Sequence, residues 1–101
     1  MALIKVTKEN FEEIKASEKP VLIDFYADWC GPCRMVSPII DEIAEQRTDI
    51  TVCKVNVDQQ IELAQNFGVQ SIPMLVVMKN GKIANQVIGA RPKSQILAML
   101  D

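Results

Sequence analysis

The sequence predicts an α/β fold, a mixed five-stranded sheet with four helices packed on both faces. Two observations point to this class. The period of the apolar residues switches repeatedly between two, which is typical of strands, and about 3.6, which is typical of helices. Near the end of the chain, Asn80-Gly81 separates two apolar segments, which is a strong signal for a β-hairpin. Alternating strands and helices that end in a hairpin place parallel and antiparallel strands in one sheet.

The first two strands are expected at Ala2–Val6 and Val21–Tyr26, with a short helix between them. Thr7 is in position to cap this helix with its side-chain oxygen, and Lys19-Pro20 ends it. Few polar residues interrupt Val21–Tyr26, which is typical of a strand that is buried on both faces of a sheet.

A long helix is predicted over Cys30–Gln46, because its apolar residues repeat at helical spacing. Pro38 lies inside this pattern, where it removes a hydrogen bond, so we expect one helix with a kink at this residue and not two helices. The helix leads to a further apolar strand at Thr51–Val57. A right-handed crossover of this kind makes the strands on either side of the helix parallel.

The rest of the chain predicts two more helices and the hairpin. Asp58 can cap a helix over Gln60–Phe67, and Gly68 follows where a left-handed residue commonly ends a helix. Pro92 can open the last helix, because an N–H at the first helical position would have no partner in any case. The hairpin strands are expected at Met74–Lys79 and Lys82–Ile88.

Length and composition predict a single domain over residues 1–101. A chain of 101 residues has ordinary domain size, and its 49% of hydrophobic residues can form a core without cross-links. The formal net charge of −2 offers no basic surface to nucleic acid or to an acidic membrane. No apolar run approaches the ~20 residues of a membrane-spanning helix, and no segment resembles a signal peptide. We therefore expect a cytoplasmic protein.

The sequence contains no histidine, which narrows the chemistry. This absence excludes Ser-His-Asp and Cys-His catalysis, and it excludes every zinc site that needs an imidazole ligand. A reaction at this chain must therefore use thiols, carboxylates, lysine or the backbone.

The reactive groups are concentrated at Cys30-Gly31-Pro32-Cys33, where a predicted strand gives way to the long helix. Two cysteines three residues apart in the first helical turn lie on the same face. The free N–H groups and the positive dipole end of the helix favour a thiolate at Cys30, which should lower its pKa below the ordinary ~8.5. Cys33 is tethered beside it, so a mixed disulfide at Cys30 can be resolved within the molecule.

Other interpretations of the cysteine pair remain open at this point. A structural disulfide would close too small a loop to constrain the unfolded chain much. A structural metal site needs four ligands, and the chain has only three cysteines. The cysteines could therefore hold a metal only in a zinc or iron–sulfur bridge between two chains. The pair can also be incidental in a binding module that contacts its partners around Trp29. The third cysteine, Cys53, lies on a predicted core strand and is expected to be a buried apolar residue.

The segment Asp24–Cys33 resembles the active-site segment of the thioredoxin family, whose signature W-C-G-P-C is present from Trp29 onward. The resemblance implies the thioredoxin fold and the reduction of protein disulfides by dithiol–disulfide exchange. It also implies a redox disulfide between Cys30 and Cys33, with Cys30 as nucleophile and Cys33 as resolving thiol. The likeness extends over nearly the whole chain, through Pro38, the Lys54 strand, Ser71-Ile72-Pro73, Asn80-Gly81 and Ile88-Gly89-Ala90.

Two further residues gain roles from the resemblance. Asp24 lies on an otherwise apolar strand, and burial between helices should raise its pKa. The resemblance makes it the proton acceptor for Cys33, directly or through a water, whereas the residues alone fit an aspartate solvated at a strand end equally well. The family's lysine at the position of Lys54 lies close to this aspartate and would favour its ionised form. The alternative for Lys54 is a lysine that extends to solvent.

The resemblance also implies a substrate-binding surface around Cys30. Ile72-Pro73 is similar to the cis-proline loop of the family, so the resemblance implies that this peptide bond is cis. The backbone of Ile72 would then pair with an extended substrate segment. For Val57 and Ile88, ordinary core packing explains the sequence equally well. The contact residues would be Trp29, Val57, Ile72, Pro73, Ile88, Gly89 and Ala90.

The resemblance implies that the chain itself binds no cofactor and no metal. Its electrons would come from a thioredoxin reductase, a flavin enzyme supplied by NADPH. The expected partners are this reductase and disulfide-containing proteins, with no nucleic acid and no membrane among them. We expect the protein to act as a monomer.

Overall fold

The computed structural model describes residues 3–101, which form one five-stranded sheet flanked by four helices. The elements in chain order are β1 (Leu3–Lys5), α1 (Phe11–Lys15), β2 (Val21–Tyr26), α2 (Gly31–Gln46), β3 (Thr51–Asn56), α3 (Ile61–Asn66), β4 (Met74–Lys79), β5 (Lys82–Ile88) and α4 (Lys93–Ala98). The strand order is β1-β3-β2-β4-β5. Strands β1, β3 and β2 are parallel, while β4 is antiparallel to β2 and β5 is antiparallel to β4. The predicted mixed sheet is therefore confirmed.

Helices cover both faces of the sheet, because successive residues of the central strands point to opposite sides. On one side, Leu22 of β2 packs in a buried cluster with Ile40 of α2 and Ile96 of α4. On the other side, Ile23 packs in a second cluster with Ile14 of α1 and Leu63 of α3. Asp24 lies two residues beyond Leu22, and Lys54 lies two residues beyond Val52, the β3 partner of Leu22. Both side chains therefore lie on the face that α2 covers.

Local signals predicted the hairpin and the helix ends that depend on backbone conformation. Both Asn80 and Gly81 have positive φ, at 54° and 77°, as a two-residue turn that matches the twist of the strands requires. Gly68 follows the end of α3 with φ of 67°. The helix α2 runs as a single element through Pro38, and α4 begins directly after Pro92.

The predicted cap at Thr7 is wrong. The side chain of Thr7 makes no capping bond; instead its carbonyl accepts hydrogen bonds from the N–H groups of Asn10 and Phe11, at 3.3 and 3.1 Å. The Asn10 Oδ1 in turn accepts from the Thr7 N–H at 2.8 Å. This closed turn uses both polar residues, so α1 begins only at Phe11. Of the strand predicted before it, Ala2 lies outside the described residues.

The predicted cap at Asp58 is also wrong, and α3 begins three residues after it. The side chain of Asn56 organises this turn, because its Oδ1 accepts from the N–H groups of Asp58 and Gln59 at 2.9 and 3.3 Å. The carbonyl of Asn56 accepts from the Gln60 N–H at 2.9 Å, so the turn built on Asn56 leads directly into α3. The Asp58 carboxylate is thereby left available for a contact across the site. Within residues 3–101, no helix is both long enough and apolar enough to cross a membrane.

Candidate active site

Cys30 and Cys33 lie where β2 ends and α2 begins. Cys30 is the N-cap residue of α2, with an extended backbone (φ −86°, ψ 112°), and its Sγ accepts a hydrogen bond from the Cys33 N–H at 3.2 Å. The Cα atoms of the two residues are 5.3 Å apart and their sulfurs are joined as a disulfide. Pro32 fits the first turn of the helix, where its missing N–H leaves no bond unmade. The Sγ of Cys30 therefore occupies the position at which a helix start stabilises an anion.

Both cysteines are largely buried, and they face different surroundings. They form a small cluster with Ala27, against which Val57 and Ile72 pack. The Sγ of Cys30 lies 3.8 Å from the carbonyl oxygen of Ile72, on the loop that precedes β4. Cys33 instead lines a cleft of about 270 Å³, whose walls are Tyr26, Ala27, Asp28, Cys33, Arg34, Ser37 and Lys54.

Trp29 stands beside the disulfide with 67% of its surface exposed. Its Nε1–H donates a hydrogen bond of 2.8 Å to the Oδ2 of Asp58, the carboxylate that does not cap α3. The bond ties the exposed indole to the turn that follows β3. Sequence reasoning missed this role of Asp58. The topology does contain a signal for it, because Trp29 and Asp58 follow the carboxyl ends of adjacent parallel strands, β2 and β3.

The other predicted contact residues lie on the loops that surround Cys30. The Ile72–Pro73 peptide bond is cis, and the Pro73 carbonyl accepts a hydrogen bond from the Gly89 N–H at 2.8 Å, which joins the two loops. Ala90, the next residue, is exposed. Ile88 is 53% exposed, so core packing does not account for it. Val57 is half-buried and packs against the cysteine cluster.

Asp24 is buried on β2, with 3% of its surface exposed. Burial raises the pKa of this carboxyl to about 7; Lys54 opposes the rise and Asp41 adds to it. Among residues 3–101, Asp24 Oδ1 has no hydrogen-bond partner. A carboxyl in this state exchanges a proton readily near neutral pH.

Lys54 lies directly opposite Asp24 in the parallel pairing of β3 with β2. Its side chain is half-buried and does not form an ion pair within 4.0 Å of the carboxylate. The Nζ atom lies instead 5.5 Å from the centre of the Tyr26 ring. Lys54 therefore acts on Asp24 across a gap and not through a direct bond.

Cys53 does not belong to the site. It is fully buried in the cluster on the α1 and α3 side of the sheet, and it remains a free thiol. Burial raises its pKa to about 12, so the thiolate is not populated near neutral pH. The expectation of a buried apolar residue is confirmed.

Comparisons with known proteins show which family the chain resembles throughout its length. The family model described as "Thioredoxin" matches residues 2–101. A thioredoxin of Alicyclobacillus acidocaldarius is 46% identical over 98% of this chain and 95% of its own length. A thioredoxin of Mycobacterium bovis is 48% identical, over 98% of this chain and 87% of its own length. Among solved structures, a mutant thioredoxin from Halobacterium salinarum superposes with a TM-score of 0.90 at 33% identity, covering 97% of this chain and 87% of that one.

Proposed function

The chain belongs to the thioredoxin family and is a thiol–disulfide oxidoreductase, and we propose that it serves as a reductant of protein disulfides in the cytoplasm. The observation that carries this proposal is the position of Cys30 as N-cap of α2, with its Sγ accepting the Cys33 N–H. A thiolate at that position is stabilised as the leaving and attacking group, while its partner thiol is held one turn away.

In the first step, the Cys30 thiolate attacks one sulfur of a substrate disulfide. A mixed disulfide forms between Cys30 and the substrate, and the other substrate sulfur leaves as a thiolate that takes a proton from solvent. The surface around Cys30 orients the target. Support for this comes from the exposed indole of Trp29 and from the carbonyl of Ile72, 3.8 Å from Cys30 Sγ, where an extended peptide can pair with the loop.

In the second step, Cys33 passes its proton to Asp24, directly or through a water in the adjoining cleft. The Cys33 thiolate then attacks Cys30 Sγ, the Cys30–Cys33 disulfide forms, and the second substrate sulfur leaves as a thiolate. Two electrons have then moved from the dithiol to the substrate. A pKa of about 7 suits Asp24 to this exchange, because the carboxyl is part ionised at neutral pH. Lys54, opposite Asp24 on β3, moderates that pKa.

The proposal extends to the partners. We take residues 1–101 as a single domain that acts as a monomer without a bound cofactor or metal. A thioredoxin reductase returns the disulfide to the dithiol, and disulfide-containing proteins consume it. A reducing compartment is needed to keep the pair reduced between turnovers, which supports the cytoplasm as its location.

Reduction of insulin with dithiothreitol as the electron source tests the function without a cognate reductase. We expect the protein to accelerate insulin precipitation well beyond dithiothreitol alone, and Cys30→Ser to abolish the acceleration. Cys53→Ala is the matched control, and it should retain activity because Cys53 is buried away from the site. A rate no faster than dithiothreitol alone would sink the proposal, as would full activity of the Cys30→Ser variant.

A further inference from the structure

Tyr26 ends β2 and packs against the cysteine cluster. It lies two residues beyond Asp24 and therefore on the same face of the sheet as Asp24 and Lys54. We propose that Tyr26 is a positioning residue, which holds the Lys54 ammonium over its ring and out of contact with the Asp24 carboxylate. The inference rests on the proposed function, in which Asp24 accepts the proton of Cys33.

The Lys54 ammonium can reach two partners, the Tyr26 ring and the Asp24 carboxylate, and it lies over the ring. Its Nζ is 5.5 Å from the ring centre of Tyr26, inside the roughly 6 Å over which an aromatic face attracts a cation. Asp24 is the direct cross-strand neighbour of Lys54, so a long side chain can equally reach the carboxylate. No ion pair within 4.0 Å forms there, and Asp24 Oδ1 stays without a protein partner among residues 3–101.

Tyr26 and Lys54 together separate two clefts. Both residues line the cleft of about 270 Å³ beside Cys33, and both line a second cleft of about 130 Å³ toward β1 and the turn that follows β3. Lys54 thus borders open space, and its ammonium lies over the Tyr26 ring. Without the ring, the strongest remaining attraction on this face is the buried, unpartnered carboxylate.

Lys54 is the cation that acts on Asp24, and the other groups around this carboxyl within residues 3–101 supply no second positive charge to it. From α2, Asp41 adds a like charge and Cys33 carries no charge as a disulfide, while β4 presents Leu75 opposite Asp24. Arg34 lines the cleft, but its guanidinium donates to the Asp28 carbonyl at 2.9 Å. A contact ion pair with Lys54 would favour the ionised carboxylate and weaken it as a base near neutral pH. The Tyr26 ring therefore keeps the proton acceptor of Cys33 in its working range.

The test is a carbon-13 NMR titration of the Asp24 carboxyl in the oxidised protein, where neither active-site thiol titrates. Tyr26→Leu should lower the pKa of Asp24 by about one pH unit, because Lys54 becomes free to pair with it. Tyr26→Phe keeps the aromatic face and should leave this pKa within a few tenths of the wild-type value. In a Lys54→Met background, Tyr26→Leu should no longer change the pKa, because the group through which Tyr26 acts has been removed.

An unchanged or raised Asp24 pKa in Tyr26→Leu would overturn the proposal, and so would a lowering of the same size in the Lys54→Met background. The wild-type protein gives a test that needs no variant: the side-chain methylene protons of Lys54 should show upfield ring-current shifts, and unshifted resonances contradict the contact. These titrations need no turnover. If the carboxyl pKa moves as expected but the pH profile of insulin reduction does not follow it, the proton-acceptor role of Asp24 fails while the positioning role of Tyr26 stands.

Discussion

Replacing Asp24 with asparagine should stabilise the oxidised protein by roughly 4 kcal/mol at pH 8 and change its stability little at pH 4. The reason is that burial raises the pKa of this carboxyl to about 7, from an ordinary value of 3.8. The folded state therefore holds a proton that the unfolded chain releases. The amide of Asn has nearly the same shape and does not ionise, so the variant avoids the cost of a buried charge.

The sign of the pH dependence follows from proton binding. Below about pH 4 both states are protonated, and the carboxyl makes its full favourable contribution. Between about pH 4 and 7 only the unfolded state loses the proton, so wild-type stability falls by ~1.4 kcal/mol per pH unit. Above the folded-state pKa of about 7 both states are ionised and the loss is complete.

Urea denaturation of both proteins at each pH unit from 4 to 8 measures this difference. Asp28→Asn is the matched control, since it removes one negative charge from an exposed position four residues along the chain. Its difference from wild type should stay within about 0.5 kcal/mol at every pH. A stability difference for Asp24→Asn that does not change with pH would show that the carboxyl is not held protonated by the fold.

Replacing Cys33 with serine should convert the protein into a covalent trap for its substrates. Cys30 can still attack a disulfide, but a serine hydroxyl cannot displace sulfur from the mixed disulfide. Resolution by Cys33 has an effective concentration of at least ~10⁵ M when the groups are well aligned, and free thiols in solution cannot match it. We expect turnover to fall by at least about 100-fold and adducts at Cys30 to accumulate.

Non-reducing electrophoresis followed by peptide mapping detects these adducts. They should map to Cys30 and disappear on addition of excess dithiothreitol. The double variant Cys30→Ser, Cys33→Ser retains Cys53 and should form no adduct, because that thiol is fully buried and its pKa is raised to about 12. Adducts on Cys53, or none on the Cys33→Ser protein, contradict the assignment of attacking and resolving thiols.

The hairpin, the buried strand β2 and the position of the cysteine pair could be predicted because short segments determine them. Asn80-Gly81 requires two positive φ angles in sequence, and the strand Val21–Tyr26 is apolar enough to be buried on both faces. Asp24 stood out because a carboxylate on such a strand has little access to solvent. In each case the decisive interaction lies within about ten residues or follows from burial alone.

The contacts that were missed depend on choices between several similar residues. Thr7 and Asn10 can both cap a helix, and the structure uses them to close a turn instead. The side chain of Asp58 does not cap α3, because Asn56 organises the turn before that helix. The Asp58 carboxylate instead accepts a hydrogen bond from Trp29 across the site. The contact between Trp29 and Asp58 depends on the parallel register of β2 and β3, which brings the loops that follow these strands together. The same register places Tyr26 near Lys54.

The mechanism requires that Cys30 be the thiol that ionises first, because it alone occupies the N-cap of α2. The most direct measurement is alkylation of the reduced protein with iodoacetamide across the pH range, with each cysteine quantified by peptide mass spectrometry. Cys30 should react first, and its rate should reach half its maximum well below the ordinary thiol pKa of ~8.5. Preferential modification of Cys33, or a Cys30 rate that rises only in the ordinary thiol range, would contradict the mechanism.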